Sequence, residues 1–142
     1  MSVIPEDVVD LLQPPAIAHV ATIGPTGAPH VSPVIFAWDG ELIRLSMNGD
    51  RQKRKNLARD PRVALSIVDP ANPFRSVEVR GVVLRIEDDV DYAFNRSISR
   101  RYFGADGRDK LLPGESRVVV VIRPDRAFPF IGTPPEGATA TS

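Results

Sequence analysis

The sequence predicts a mainly β domain, a small antiparallel barrel of six or seven strands with short helices at its ends. Fourteen prolines and ten glycines punctuate its 142 residues, a density of turns that suits short strands. The apolar, branched or alternating runs at 16–23, 29–38, 41–47, 62–68, 74–87 and 117–123 all suit strands. Helical signals are confined to 5–13, 50–59 and 88–103. A composition of 42% apolar and 25% charged residues is enough for one core, so 1–131 is read as a single domain.

The elements follow in order. Residues 5–13 open on Pro5, Glu6 and Asp7 ahead of Val8, Val9, Leu11 and Leu12, as a short amphipathic helix does, and Pro14-Pro15 ends it. Strand 16–23 runs into the turn Gly24-Pro25-Thr26-Gly27, and 29–38 is the returning strand. Asp39-Gly40 is the strongest short hairpin signal, a type I′ turn with positive φ at both central positions, which makes 41–47 the third strand of a meander. Asp50 is read as the N-cap of a helix that stops before Pro61. Strand 62–68 and the turn 69–73 lead to a long strand, 74–87, in which Gly81 marks a bulge or a close backbone approach. Residues 88–103 start acidic, end basic and space their apolar residues mostly by three and four, so they form the second substantial helix. The polar, glycine-punctuated stretch 104–116 is read as a lid or dimer-edge loop, and 132–142 as a disordered tail.

Composition excludes several classes of function. Eighteen Lys and Arg balance eighteen Asp and Glu, so no whole-molecule field draws in nucleic acid or an anionic membrane. The lack of cysteine removes disulfides, thiolate metal sites and a thiol nucleophile, and His19 and His30 are too few for a histidine metal cage. No metal site is expected. The absence of a basic-then-apolar leader pattern and of any eighteen-residue apolar run gives the expectation of a cytoplasmic protein without a membrane span.

The chemistry concentrates in 51–62. Six bases, Arg51, Lys53, Arg54, Lys55, Arg59 and Arg62, face one acid, Asp60, in an otherwise balanced chain. The first of them lie on the opening turn of a helix, where free N–H groups and the macrodipole already favour an anion, and a phosphate monoester fits best. The same run would also serve as a solvated helix face. It does not suit nucleic acid, because no aromatic residue lies between Met47 and Phe74 to stack on bases. His19, mid-strand, is read as a satisfied barrel histidine. His30, Ser32 and Val34 share one strand face and could line a pocket, yet no acid is spaced to orient the histidine and no Gly-x-Ser-x-Gly elbow occurs. No catalytic side chain is assigned. A phosphate site without acid, base or nucleophile makes sense if a bound cofactor supplies the reactivity.

Three stretches carry a resemblance: ATIGPTGAPHVSPV at 21–34, SMNGDRQKRKNLARDPRV at 46–63 and VEVRG at 77–81. In this order and spacing the chain, from about residue 4 to residue 124, resembles the flavin/deazaflavin oxidoreductase family. These are split β-barrels related to pyridoxamine 5′-phosphate oxidase, and the likeness is to the short members that use coenzyme F420. The resemblance implies an FMN-binding-like split barrel and a homodimer with two cofactor sites at the subunit interface. It implies hydride transfer between F420 and a small conjugated organic substrate, with FMN as the alternative cofactor and a non-catalytic carrier as the alternative role. By position, Ser46, Asn48, Arg51, Gln52 and Lys53 would contact the cofactor phosphate and ribityl chain, and Ser32, Pro33 and Val34 would run along the ring edge. Substrate would stack on the exposed ring face under the 102–116 loop. The chain departs from the longer vitamin B6 oxidases, closing with Arg123-Pro-Asp-Arg126 in place of their segment that grips pyridoxal phosphate, so B6 oxidation is not expected. Arg54, Lys55 and Arg59 favour F420, whose polyglutamate tail adds negative charge.

Overall fold

A computed structural model describes residues 2–105 and 116–137. Seven strands, β1 (Ala18–Ile23), β2 (Pro29–Val34), β3 (Phe36–Trp38), β4 (Ile43–Asn48), β5 (Arg62–Asp69), β6 (Asn72–Asp88) and β7 (Arg117–Ile131), form one antiparallel sheet in the order β2-β1-β5-β6-β7-β4-β3. The two edge strands, β2 and β3, are separated in sequence by Ile35 alone, so the sheet has to curl until its edges meet. The result is the mainly β split barrel that the sequence predicts, with seven strands. Inward-facing residues alternate along the strands, among them Val20, Phe36, Ile43, Leu45, Leu65, Ile67, Val77, Val79, Val120 and Ile122, all essentially inaccessible.

The helical segments among the described residues are a 3-10 helix, Glu6–Leu12, the α-helices α1 (Gln52–Arg59) and α2 (Ala93–Phe103), and a short 3-10 turn, Val90–Tyr92, that leads into α2. The first buries Val8, Leu11 and Leu12 against the core. Arg75 clamps it to β6, donating to the Asp7 carbonyl at 2.7 Å and pairing with Asp10 and Asp69. No helix among the described residues is long and apolar enough to cross a membrane.

Several boundaries differ from expectation for physical reasons. The predicted strand 29–38 is broken at Ile35, where the chain passes from one sheet edge to the other. The hairpin at Asp39-Gly40 is not a type I′ turn, because only Gly40 has positive φ, at 101°. Asp39 instead closes the loop with its side chain, accepting the Glu41 and Leu42 N–H groups at 2.9 and 2.7 Å. Those bonds, with that from Arg44, hold its carboxyl at about 2. Asp50 does not cap α1; its own N–H donates to Asn48 Oδ1 at 2.8 Å, and Arg51 occupies the cap position. The predicted helix 88–103 begins late. β6 runs on to Asp88, Asp91 and Tyr92 take positive φ, and α2 starts at Ala93. β7 continues past the predicted end at Arg123 to Ile131, since it leaves β4 at Ile122 and pairs only with β6 thereafter, an edge setting where Pro124 and Pro129 are tolerated. The loop expected at 104–116 falls at 106–115 outside the described residues, as do 138–142 of the tail.

Gly81 fulfils both of its readings. The β6–β7 register shifts between Arg80 and Gly81, and a Cβ there would lie 2.3 Å from the Arg123 carbonyl oxygen. Asn56 of α1 is wholly buried and ties the helix to the first hairpin. Its amide donates to Thr22 Oγ1 at 2.9 Å and bonds His30 Nδ1 at 3.3 Å, while its Oδ1 accepts from Gln52 Nε2 at 2.8 Å. Replacing Gly81 by alanine should cost about 1–3 kcal/mol through overpacking, read as a lower urea midpoint at unchanged slope. Asn56→Ala, which strands the groups on Thr22, His30 and Gln52, should cost a similar ~1–3 kcal/mol in the same assay.

Candidate functional site

β4 ends at Asn48, whose carbonyl accepts the Arg51 N–H at 3.2 Å and whose side chain holds the Asp50 N–H, so the chain turns sharply into α1. No side chain caps α1 and no acid occupies its first turn, which leaves its amino-terminal dipole facing the Arg51, Gln52 and Lys53 region uncompensated. The Asn56 bonds fix which way this turn faces: it lies over β2, and Lys53 Nζ donates to Ser32 Oγ at 3.2 Å.

Two adjoining clefts meet here. One, of about 220 Å³, is lined by Thr22, His30, Val31, Ser32, Arg51, Gln52 and Lys53 with Val20. The other, of about 230 Å³, is lined by Pro33, Val34, Ile35, Ser46, Met47, Asn48, Arg51, Lys53 and Arg117. Arg51 and Lys53 border both. All eight residues singled out from the sequence, Ser32, Pro33, Val34, Ser46, Asn48, Arg51, Gln52 and Lys53, therefore gather around one continuous surface. A larger cavity of about 420 Å³ lies between Ala21, Ile23, Pro29, Ala64, Arg80 and Arg126 and touches none of the eight. Its walls are mostly apolar although Arg62, Arg80, Asp125 and Arg126 border it, whereas the smaller pair gathers the donors at the start of α1 and is taken as the candidate site.

The electrostatics of the paired clefts are one-sided. Burial, reinforced by the charges of Arg51 and Arg117, pushes the Lys53 ammonium below the usual lysine range. Among the described residues no carboxylate forms an ion pair with Arg51 or Lys53. Ser46, 7% exposed, accepts from Asn95 Nδ2 at 3.1 Å and from Arg117 Nη2 at 2.9 Å. The Asn48 side-chain oxygen is occupied by the Asp50 N–H. Hydrogen-bond donors thus dominate the second cleft, which suits an acceptor-rich anion.

The rest of the basic run divides. Arg59 donates to the Ile23 carbonyl at 2.5 Å and pins the end of α1 to β1, and Arg62 pairs with Asp60, so both are structural. Arg54 and Lys55 stay on the helix, Lys55 exposed and Arg54 half-buried. His19 is exposed on β1 rather than facing the barrel interior, which corrects its reading as a core histidine. His30 does line the first cleft. Tyr102 packs as a helix residue and also donates to the Ala16 carbonyl at 2.7 Å, its hydroxyl held above the usual tyrosine range by burial. Sequence reasoning missed Asn56, Asn95 and Arg117. The Gln52–Asn56 spacing of four was a usable signal for the first, but the other two come from distant segments with no local pattern.

Comparison with known proteins bears on this geometry. No curated protein matches the chain. Among solved structures, one named F420 reductase is 39% identical with a TM-score of 0.81, covering 88% of this chain and 98% of its own. A conserved hypothetical protein from Mycobacterium tuberculosis is 28% identical with a TM-score of 0.74, covering 98% and 94%. General stress protein 26 from Bacillus anthracis, 18% identical with a TM-score of 0.66 and covering 88% and 92%, shares the fold. The family model described as pyridoxamine 5′-phosphate oxidase matches residues 4–129, from just before the 3-10 helix to near the end of β7, and the chain belongs to that family.

Proposed function

We propose that this protein is an F420-dependent oxidoreductase, passing a hydride between the deazaflavin coenzyme and a small conjugated organic substrate. The observation that carries the reading is the donor-lined cleft around Arg51 and Lys53, two cations without a carboxylate partner among the described residues. A phosphate monoester meets that donor set. Arg51 supplies a guanidinium fork, Lys53 a point charge already braced on Ser32, and Ser46 a hydroxyl. Asn48 and Gln52 flank the phosphate and ribityl positions, while Ser32, Pro33 and Val34 border the ring. When bound, the coenzyme supplies the hydride chemistry, and the protein binds, orients and excludes water.

Two supports favour the deazaflavin over FMN. The F420 reductase neighbour is 39% identical over most of both chains, and Lys55 stands exposed on the same helix, where a polyglutamate tail can use it. The family resemblance also implies a homodimer with cofactor sites at the interface, and this belongs to the same reading. Val31, 69% exposed on the wall of the first cleft, is the apolar surface beside the site that a second subunit would cover.

The test is a pair of fluorescence titrations, F420 and separately FMN, each repeated with Lys53→Ala. F420 should bind more tightly, and the variant should lose about ten- to a hundredfold in affinity, the equivalent of one charge-assisted bond. Unchanged affinity in folded Lys53→Ala would remove the site assignment, and preference for FMN would move the protein to the flavin branch. A pH series adds a sign. Burial and repulsion lower the free Lys53 pKa, and a bound anion raises it, so binding takes up a proton and affinity falls as pH rises on the alkaline side. Lys53→Ala should flatten that slope.

A further inference from the structure

The cleft contains an arrangement that the phosphate-site reading does not account for. Ser46 Oγ accepts two hydrogen bonds, from Asn95 Nδ2 at 3.1 Å and from Arg117 Nη2 at 2.9 Å. A hydroxyl has two lone pairs and one hydrogen. With both lone pairs taken, Ser46 is left only its hydrogen to offer, and among the described residues it donates to nothing. Neighbouring side chains on the open side are Arg51 and Lys53, themselves donors. We propose that Asn95 is a positioning residue which, together with Arg117, locks the Ser46 hydroxyl as a donor aimed at an anionic acceptor in the cleft; this rests on the phosphate-site reading above.

Asn95 is itself placed with care. It comes from α2, far from the basic segment in sequence, and its N–H donates to Asp89 Oδ2 at 2.9 Å while the Phe94 N–H donates to Oδ1 at 3.0 Å. A nearly buried carboxylate thus anchors the first turn of α2 from outside the helix. The chain reaches this start through Asp91 and Tyr92 at φ 55° and 59°, the only non-glycine residues with positive φ among those described. Such conformations are costly and persist where the surrounding structure holds them, often beside a functional site. A carboxamide is also the right chemical choice. An aspartate of the same shape would accept the Ser46 proton and pair with Arg117, turning the hydroxyl away from the ligand and adding a negative charge where an anion is to bind.

The experiment is a double-mutant cycle read by titration of F420 and of FMN, with Ser46→Ala, Asn95→Ala, both together, and the isosteric Asn95→Asp. Thermal unfolding of each variant checks that it is folded. Ser46→Ala should weaken the better-bound cofactor about tenfold, Asn95→Ala about threefold or more, and the double variant should match Ser46→Ala alone, because Asn95 acts through that hydroxyl. Asn95→Asp should bind worse than Asn95→Ala despite keeping the native shape, an outcome that simple packing of α2 would not give. Losses that multiply in the double variant, an Asn95→Asp variant that binds like wild type, or a Ser46→Ala variant without effect would each overturn the proposal while Lys53-dependent binding left the phosphate site standing. Absence of binding by the wild-type protein, or binding indifferent to Lys53→Ala, would overturn the phosphate site and this proposal together.

Discussion

The arrangement depends most on the hydrogen bonds of one buried side chain, Asn56. A short helix of eight residues has little stability of its own, and α1 carries an apolar anchor in Leu57 but otherwise a charged surface. Asn56 gives it orientation as well as attachment, because its amide bonds Thr22 on β1, His30 on β2 and Gln52 one turn earlier on the helix. A hydrophobic contact in its place could slide or rotate, whereas a satisfied polar network in a low-dielectric interior admits one geometry. That geometry sets Lys53 against Ser32 and turns Arg51 into both clefts.

Curling of the sheet supplies the other half of the site. β2 is one edge of the sheet and β4 lies next to the other, with four strands between them in the hydrogen-bonded order. Pro33 and Val34 nevertheless share a cleft with Ser46 and Asn48, which is possible only because the single-residue link at Ile35 draws the two edges together. The Gly81 approach to Arg123 belongs to the same closure: the long β6–β7 ladder bends at its bulge, and that bend requires a residue without a Cβ. Barrel shape and the candidate site therefore follow from the same few backbone constraints.

Most of this was legible in the sequence where information is local. Turn chemistry and strand-length apolar runs predict β1, β4, β5 and β6 to within a few residues and β2 with β3 as one run, and the charge imbalance at 51–62 marks the candidate site before any fold is known. What was not legible depends on partners distant in sequence. β7 beyond Arg123 looks like a loop because of its prolines, and becomes a strand only when β6 lies alongside and β4 does not. Asn95 reads as an ordinary helix surface residue until β4 brings Ser46 to it across 49 positions. Each is a competition between a local preference and a tertiary contact, and only the local side is written in the neighbouring residues.

The ion pairs elsewhere among the described residues contrast with the basic cleft. Arg44 pairs with Asp39, Arg62 with Asp60, Arg80 with Glu78, Arg85 with Glu87 and Arg123 with Asp125, each within five residues, and Arg75 holds two aspartates while bracing the N-terminal helix. Exposed pairs of this kind contribute little individually, but they keep like charges from facing each other. At the mouth of α1 the pattern is reversed. Burial, reinforced by the charges of Arg51 and Arg117, lowers the ammonium pKa of the half-buried Lys53, which among the described residues donates to the Ser32 hydroxyl oxygen. Among the described residues no carboxylate forms an ion pair with Arg51 or Lys53, so under the proposed reading an incoming anion would supply their counter-charge and relieve part of their repulsion on binding.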